Sequence, residues 1–349
     1  MRDNRLKVGI AGYGIVGKLR HKHIEDRNDI TVIAVCDRNI TDNIQSDNKR
    51  IRYYKDYESM LMKESLDVLI VCMTNDIATK VTIAGLQNGL HVLCEKPPGR
   101  FVSDIESVRK VELNYPDLKL MYGFNHRYHD SVQDAIEVVK SGELGNIINL
   151  RGVYGKSKLV TFNQDDWRTK RSISGGGVLL DQGIHMVDLM RLFAGEFKDI
   201  YSFISNKFWG FDVEDNAVVI LKTGDDQLAM LHSSATFWKH MFQLTVILEE
   251  GYLTVEGLLS KTGSYGRETL TIGRRQFEDE AEAIGNPSEE IVYFDRDLSW
   301  DLEVEKFVES IRNNTPIVES TSADALNVME LVSNCYKESG FPTYVKEPY

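Results

Sequence analysis

The sequence predicts an α/β protein of two domains, in which a doubly wound parallel sheet precedes an α/β domain with a large open, mainly antiparallel sheet. Three observations support this prediction. Apolar runs alternate with helical patterns up to residue 122, and a G-x-G-x-x-G segment follows the first run. Beyond residue 197, short strands patterned for one buried face follow one another. The 349 residues suffice for about two domains.

The first predicted domain covers residues 1–123. Parallel strands are expected at the apolar runs 6–11, 30–36, 68–73, 91–94 and 119–122. Amphipathic stretches separate these runs and predict helices near 15–25, 56–64, 76–88 and 103–114. Strict alternation of strand and helix implies right-handed crossovers and a parallel sheet that is covered on both faces.

The second predicted domain covers residues 124–349. Strands are expected near 146–155, 198–206, 214–222, 227–235, 241–249 and 251–256, and helices near 128–140, 180–193, 299–313 and 322–338. The charged, turn-rich segment 273–290 is predicted to be a surface excursion. Alternating strands of this kind predict an open sheet with helices on one face, and the last helix is a candidate for packing back on the first domain.

The charge balance excludes two classes of partner. Asp and Glu outnumber Lys and Arg by 53 to 41, and a surface with a net charge of −12 repels nucleic acid and anionic membranes. No apolar run reaches the roughly 18–20 residues of a membrane span, and no signal-peptide pattern precedes the first strand. We therefore expect a cytoplasmic protein in which any anionic ligand binds at a local site.

No metal is expected. His126 and His129 lie close in sequence, but no third or fourth ligand has a suitable spacing. The cysteines form no C-x-x-C pair and are interpreted as reduced packing residues; they are Cys36, Cys72, Cys94 and Cys335.

The glycine segment at residues 12–17 forms the turn between the first strand and the first helix. In such a turn the first glycine permits the bend, the second lets a pyrophosphate approach, and the third lets helix and strand pack closely. Asp37 ends the second strand, where a carboxylate accepts both ribose hydroxyls of an adenosine. Because Asp37 repels a 2′-phosphate, NAD is favoured over NADP; Arg38 keeps NADP open, since a guanidinium can pair with that phosphate.

Two segments carry candidate catalytic groups. Lys96 follows the fifth strand, at the sheet edge where ligands of doubly wound sheets bind. Asp181 and His185 are spaced i, i+4 and share one face of a predicted helix, where the carboxylate can orient the imidazole and stabilise its charged form. The preceding glycines, residues 175–177, are interpreted as giving the backbone room beside a ligand. Asp188 is expected either to hold the other imidazole nitrogen or to be solvated.

Together these residues resemble the Gfo/Idh/MocA oxidoreductase family. The resemblance covers nearly the whole chain, through GYGIVG, Asp37, GLQNGLHVLCEKP, GFNHRYH, the Trp167-Arg168 pair, GGGVLLDQGIHMVDLM and ALNVMELVSNCY. It implies a Rossmann domain followed by an α/β domain whose open sheet often forms the oligomer interface, and hence a homodimer or homotetramer. The chain departs from the family at residues 73–75, where many members have Thr-Pro-Asn and a nearby His; here Ala78 takes the His position, while Asn75 still matches.

The resemblance implies hydride transfer between a nicotinamide and a sugar or cyclitol carbon. Lys96, Asp181 and His185 match the catalytic positions, with His185 as acid/base and Lys96 donating to the developing alkoxide. The expected cofactor-binding residues are Gly12, Tyr13, Gly14, Ile15, Val16, Gly17, Asp37, Arg38, Thr74, Asn75, Glu95, Lys96, Asn125, Trp167 and Arg168. The expected substrate-binding residues are Lys96, Arg127, Tyr154, Lys156, Arg168, Asp181 and His185.

The loop at residues 156–171 bears on the choice of substrate. Five bases oppose two acids there, which gives a local charge of +3; the bases are Lys156, Lys158, Arg168, Lys170 and Arg171, and the acids are Asp165 and Asp166. Arg127 and Arg151 could join this cluster from flanking segments. Such a cluster suits phosphate or carboxylate and favours a nucleotide-linked or otherwise anionic sugar.

Other interpretations remain open. The basic loop could be solvated, and tyrosine and tryptophan near it could stack on a sugar or simply anchor the loop. A free sugar or inositol is the alternative substrate. A non-catalytic NAD-dependent sensor or scaffold and an NAD-assisted glycosidase are alternatives of other classes.

Overall fold

The computed structural model describes residues 5–40, 51–158, 167–260, 263–276 and 285–342. The chain divides into two compact units. The first comprises Met1–Phe124, Ile173–Gly175 and Trp300–Met329, and the second comprises Asn125–Ser172, Gly176–Ser299 and Glu330–Tyr349. The chain passes between the units several times, which a single boundary near residue 123 does not describe.

A parallel six-stranded sheet forms the centre of the first unit. Its strands are β1 (Leu6–Ala11), β2 (Ile30–Cys36), β3 (Arg52–Tyr54), β4 (Val68–Val71), β5 (His91–Glu95) and β6 (Leu120–Gly123), in the order β3-β2-β1-β4-β5-β6. The helices along it are α1 (Ile15–Glu25), α2 (Tyr57–Lys63), α3 (Asn75–Gln87) and α4 (Val102–Glu112). The predicted doubly wound sheet is confirmed. Strand β3 was not predicted, because three residues are too few to show an alternating hydrophobic pattern.

An eight-stranded sheet forms the centre of the second unit. Its strands are β7 (Ile147–Gly155), β8 (Phe197–Ser205), β9 (Asn216–Thr223), β10 (Leu228–Ser234), β11 (Met241–Leu248), β12 (Gly251–Glu256), β13 (Glu268–Arg274) and β14 (Glu289–Phe294). The order is β14-β13-β12-β11-β7-β10-β9-β8, and β7 pairs with β10 in parallel while the other pairs are antiparallel. The expected open, mainly antiparallel sheet is confirmed.

The surface excursion predicted at residues 273–290 is wrong at both ends. Residues 273–274 complete β13 and residues 289–290 begin β14, the edge strand of the sheet, where charged residues can face water. Residues 277–284 of that segment lie outside the described residues.

Helices cover one face of the second sheet. They are α5 (Asp130–Ser141) and α7 (Ile184–Ala194), and a π-helical turn, Leu179–Gly183, precedes α7. The short α6 (Arg171–Ser174) comes before this turn in the chain. A Cβ at Gly152 of β7 would lie 2.5 Å from Met190 and 2.6 Å from Met186, so this glycine lets α7 approach the sheet closely. The face that carries Val219, Leu231 and Leu244 is therefore buried.

Two helices, α8 (Ser299–Arg312) and α9 (Ser322–Ser339), end the described part of the chain. Residues 300–312 of α8 and residues 322–329 of α9 belong to the first unit. Among the described residues, the helices are all too short or too polar to cross a membrane.

Candidate active site

The glycine turn lies between β1 and α1, where the strand order of the first sheet reverses. Gly12 has φ +92°, and a Cβ there would overlap the carbonyl oxygen of Cys72, so only glycine fits. A Cβ at Gly17 would overlap the carbonyl oxygen of Gly12, because α1 packs tightly on the strand. At Gly14, the N-cap of α1, a Cβ would meet no atom within 4 Å. Open space before the free N–H groups of a helix is what a pyrophosphate requires.

The other residues of the turn differ in their surroundings. Tyr13 bonds through its hydroxyl to His21 Nδ1 at 2.5 Å, and burial raises the pKa of its phenol to about 12. Ile15 is 60% exposed beside the turn, whereas Val16 is half-buried. An exposed isoleucine next to the open space at Gly14 fits a position that a bound nucleotide would cover.

Asp37 stands at the end of β2, as the sequence predicts. It is half-buried, and its Oδ1 accepts the backbone N–H of Asn39 at 2.9 Å. The next residue, Arg38, is exposed. A carboxylate at this strand end fits the ribose of a dinucleotide.

Thr74 and Asn75 lie where β4 passes into α3. Thr74 is the N-cap residue, and its hydroxyl donates to Asp76 Oδ1 at 2.6 Å. The amide of Asn75 is nearly buried and donates to the carbonyl oxygen of Ser174 at 2.7 Å. Asn75 therefore holds the short 173–175 segment on the first unit.

Glu95 has a partner that the sequence does not reveal. Arg20 on α1, which is fully buried, donates from Nε to Glu95 at 2.6 Å and contacts Glu303 at 2.5 Å. The guanidinium also lies 4.4 Å from the ring centre of Trp300. Burial raises the pKa of Glu303 to about 7. Glu95 thus ties α1 to the strand end that carries the half-buried Lys96.

A pair of stacked imidazoles marks the second unit. His185 on α7 is 4% exposed, and its ring lies over that of His126, with centroids 3.7 Å apart and planes inclined by 11°. His126 Nε2 lies 2.9 Å from the Tyr154 hydroxyl, and its Nδ1 lies 3.2 Å from Asn125 Oδ1. The sequence suggests His126 only as a metal ligand, because a separation of 59 residues from His185 carries no signal of the stack.

Asp181 lies in the π-helical turn before α7. Lys156 Nζ contacts its Oδ2 at 2.9 Å, and Arg168 Nε lies 3.6 Å from its Oδ1. The ordinary helix predicted from residue 180 is wrong at its start, because the π-helical turn changes the spacing of the residues that precede α7. Such turns occur frequently at functional sites.

Arg127 and Asp188 form a buried ion pair. Arg127 Nε donates to Asp188 Oδ2 at 2.7 Å and its Nη2 donates to Oδ1 at 2.5 Å. The solvated alternative for Asp188 is wrong, since this residue is completely buried. Arg127 was expected to bind substrate, but its guanidinium group donates two hydrogen bonds to the Asp188 carboxylate. Arg151 is exposed on the opposite face of β7 from Tyr154.

The glycines at residues 175–177 pack against protein atoms. A Cβ at Gly175, which has φ +84°, would lie 2.7 Å from backbone atoms of Arg100. One at Gly176 would overlap the Tyr336 hydroxyl, and one at Gly177 would overlap the carbonyl oxygen of Glu214. The interpretation that these glycines leave room for a ligand is therefore wrong; they allow close packing of the chain.

Glu214, which no sequence motif indicates, packs against these glycines. It is fully buried and accepts the N–H groups of Gly177 at 2.8 Å and Leu179 at 3.0 Å. The hydroxyl of Tyr336 donates to the same carboxylate at 2.7 Å. Burial raises the pKa of Glu214 in spite of these hydrogen bonds. The carboxylate fixes the backbone that leads to Asp181 and His185.

Three of the five loop cations have carboxylate partners. Lys156 and Arg168 both face Asp181, and Arg171 lies 3.7 Å from Asp212. Arg168 also lies 4.5 Å from the ring centre of Trp167. Residues 159–166, including Asp165 and Asp166, lie outside the described residues. The positive charge of the loop is thus partly compensated within the second unit.

Comparison with known families matches both parts of the chain. The family model described as "Oxidoreductase family, NAD-binding Rossmann fold" matches residues 6–117. The model described as "GFO/IDH/MocA C-terminal domain" matches residues 132–254. The first match confirms the expected NAD-binding domain, and the pair agrees with the resemblance that the motifs suggest.

Curated relatives match over part of their length. D-glucoside 3-dehydrogenase of Escherichia coli (strain K12) is 31% identical over 54% of this chain and 54% of its own. Myo-inositol 2-dehydrogenase of Thermotoga maritima is 24% identical over 66% of this chain and 68% of its own. The chain therefore spans about half the length of the Escherichia coli relative.

Solved structures match over nearly the whole chain. Levoglucosan dehydrogenase in complex with NADH has a TM-score of 0.83 at 17% identity, covering 96% of this chain and 97% of that one. Myo-inositol 2-dehydrogenase from Lactobacillus plantarum has a TM-score of 0.77 at 22% identity, covering 96% and 97%. These similarities establish the common fold.

Proposed function

Because the chain belongs to the Gfo/Idh/MocA oxidoreductase family, we propose that it is an NAD-dependent dehydrogenase of a CH–OH group in a neutral sugar, glycoside or cyclitol. The observation that carries the substrate class is the position of Asp181 between Lys156 and Arg168. A carboxylate there partly compensates the two cations that a phosphate would need, and it accepts hydrogen bonds from hydroxyl groups.

The names of the relatives support the same substrate class. A glucoside, levoglucosan and myo-inositol are uncharged polyols, and each appears in the name of a relative. The anionic-sugar alternative rests on the local charge of the basic loop. We place it second, since three of the five loop cations already face carboxylates.

NAD would be held by residues of the first unit. The open space at Gly14 and the N–H groups of α1 suit the pyrophosphate, and the Asp37 carboxylate suits an unphosphorylated ribose. Thr74, Asn75 and Lys96, at the ends of neighbouring strands, complete the proposed cofactor-binding set. When bound, NAD supplies the hydride acceptor.

The remaining chemistry is proposed for three side chains. His185 accepts the proton of the substrate hydroxyl, and Lys96 donates a hydrogen bond that stabilises the developing alkoxide. Asp181, itself fixed by Lys156 and Arg168, accepts a neighbouring substrate hydroxyl and orients the ring. The buried phenol of Tyr154, whose pKa lies well above its usual range, stays protonated.

A substrate panel tests this proposal. The protein is incubated with NAD and with glucose, methyl glucoside, levoglucosan and myo-inositol, beside glucose 6-phosphate and a nucleotide-linked glucose, and NADH absorbance is followed. We expect turnover of one or more neutral compounds. Turnover of charged sugars alone would overturn the substrate class. Tight NAD binding without reduction across the panel would favour a sensor, and release of phenol from an aryl glycoside without net NADH would favour a glycosidase.

A matched pair of histidine variants tests the catalytic assignment. His185→Asn should lower kcat on the order of 10²- to 10⁴-fold, because a general base is lost, while NADH affinity stays within about twofold. His23→Asn, in the last turn of α1, is the control and should retain wild-type kcat. Wild-type turnover of His185→Asn would remove His185 from the mechanism.

The outer face of the second sheet supports the expected oligomer. Tyr201 pairs with Ile220 and Ile220 pairs with Met230, so these side chains form one row across β8, β9 and β10. Phe203 on the same face is 76% exposed. We propose that a second copy of the chain covers this apolar face, since monomers rarely expose so large a patch. Light scattering after gel filtration should give a dimer or tetramer, and a Phe203→Glu variant should shift the mass towards the monomer.

A further inference from the structure

The imidazole of His126 contacts the proposed acid/base directly and is itself held from both sides. We propose that His126 is a positioning residue, a neutral ring that fixes the plane of His185 and supports its charged form during proton transfer. The inference rests on the proposed function, because it assumes that His185 moves a proton.

A directional series of hydrogen bonds defines the Nδ1 side of His126. The Ser299 hydroxyl donates to Asp297 Oδ1 at 2.7 Å, which leaves its oxygen to accept from Asn125 Nδ2 at 3.2 Å. This bond turns Asn125 Oδ1 towards His126 Nδ1, 3.2 Å away. Because an amide oxygen only accepts, Nδ1 carries the proton.

On the other side of the ring, Nε2 of His126 faces a hydroxyl group that can donate a hydrogen bond. In the tautomer with a proton on Nδ1, Nε2 accepts from the Tyr154 hydroxyl at 2.9 Å. The phenol can fill this role because burial raises the pKa of Tyr154 well above its usual range. His126 is only 8% exposed, and burial disfavours the charged form of an imidazole.

The stacked arrangement allows a neutral His126 ring to stabilise the charged form of His185. A charged imidazole over the face of a neutral aromatic ring is attracted to it, whereas two charged rings 3.7 Å apart would repel each other strongly. Proton uptake by His185 is therefore favoured by a neutral ring at position 126.

Other charged groups surround the two rings. His129 lies edge-on to His126 with centroids 5.5 Å apart, and its Nδ1 bonds to the buried Glu268 at 2.8 Å. On the element of His185, Asp181 faces Lys156 and Arg168, and Asp188 faces Arg127. Each of these carboxylates has a cationic or imidazole partner, so the stacked ring adds an interaction that these pairs do not supply.

Two substitutions of the same ring separate positioning from a merely structural role. His126→Phe keeps a flat aromatic face over His185, whereas His126→Asn removes it. We expect His126→Asn to lower kcat about tenfold with little change in KM, and to shift the acid limb of the kcat/KM profile about half a pH unit downwards, because the charged form of His185 loses support. His126→Phe should return that limb towards the wild-type position. The same pH profile for wild type and His126→Asn would overturn the inference.

Two further measurements keep the inference testable if the ring variants fold poorly. Tyr154→Phe retains the stack but removes the donor to Nε2, and it should shift the acid limb less than His126→Asn does. Nitrogen NMR of histidine-labelled wild-type protein should find His126 neutral with its proton on Nδ1; a charged ring or a proton on Nε2 would contradict the inference. If His185→Asn retains activity, the proposed function fails; if His185→Asn is inactive but His126→Asn behaves as wild type, only this inference fails.

Discussion

The two glycine-rich segments of this chain look alike in sequence but differ in what surrounds them. In the turn between β1 and α1, the Cβ position of Gly14 faces open space, while Gly12 and Gly17 meet backbone atoms. In the 175–177 segment, all three Cβ positions meet protein atoms. A glycine therefore indicates a ligand only where its missing side chain leaves space that the fold does not fill.

The difference assigns separate tasks to the two segments. The turn can present helix N–H groups to an anion, and we propose that its middle glycine serves binding. The 175–177 segment lets the chain pass close to Glu214 and Tyr336, so it serves the placement of the turn that carries Asp181. Four substitutions test this division, and they follow in order of decreasing expected effect.

Gly177→Ala should have the largest effect, and it should act on folding. The added methyl group would overlap the backbone oxygen of Glu214, which accepts the N–H of Val178, and the Glu214 carboxylate holds the same segment through Gly177 and Leu179. We expect a loss of about 3 kcal/mol or more in the free energy of unfolding, measured by urea denaturation. Unchanged stability would mean that the close approach is not required.

Glu214→Gln should destabilise the protein by about 1–3 kcal/mol. The carboxylate accepts three hydrogen bonds, and an amide would place its own donor against one of these donors. The same urea titration measures the loss, with Glu290→Gln on the exposed end of β14 as the control.

The Glu214 variant should also alter the pH dependence of stability. Because burial raises the pKa of Glu214 above that of the unfolded chain, the folded state binds this proton more tightly. The contribution of Glu214 is therefore complete below the unfolded pKa of about 4.5 and is lost as pH rises through the folded pKa. The stability difference between wild type and Glu214→Gln should accordingly shrink as pH rises from that value, and a growing difference would contradict the assigned direction.

Gly14→Ala should leave folding nearly intact and weaken cofactor binding. Its φ of −77° suits alanine, so the free energy of unfolding should change by less than about 1 kcal/mol. The methyl group would occupy the space proposed for the pyrophosphate, and we expect NADH to bind at least about tenfold more weakly in a fluorescence titration. Wild-type affinity would place the dinucleotide elsewhere.

Asp37→Ser should have the smallest effect. Loss of the carboxylate removes a hydrogen bond to the ribose, worth about 1 kcal/mol, so NADH affinity should fall about fivefold. NADPH affinity should rise relative to NADH, since the repulsion of a 2′-phosphate is lost while Arg38 remains. Titrations with both nucleotides measure the ratio, and an unchanged ratio would show that Asp37 does not select the cofactor.

Local patterns were sufficient for most of the secondary structure. The runs 6–11 and 30–36 coincide with β1 and β2, because strands buried on both faces must be continuously apolar. The π-helical turn at Leu179–Gly183 was not predicted, because its residues show the same pattern as an ordinary helix. Its backbone is anchored by Glu214, which is distant in sequence.

For the candidate site, too, features within short segments were predicted and contacts between distant segments were not. Asp181, His185 and the glycine turn were proposed from patterns within short segments of the chain, although the π-helical turn that carries Asp181 was not predicted. Contacts between distant segments were not found: the pairing of Arg127 with Asp188, of Arg20 with Glu95, and the stacking of His126 on His185.

The sequence by itself thus determined the fold class, the family and the NAD-binding domain, and it supplied the residues that we propose to move a proton. These follow from short-range periodicity and from residue types, which the chain carries before it folds. Only the tertiary structure decided which charges are compensated and which space stays open, as at Asp181 and Gly14. The physical reason is that charge compensation and steric exclusion act over a few ångströms between segments far apart in the chain, and only the fold brings them together.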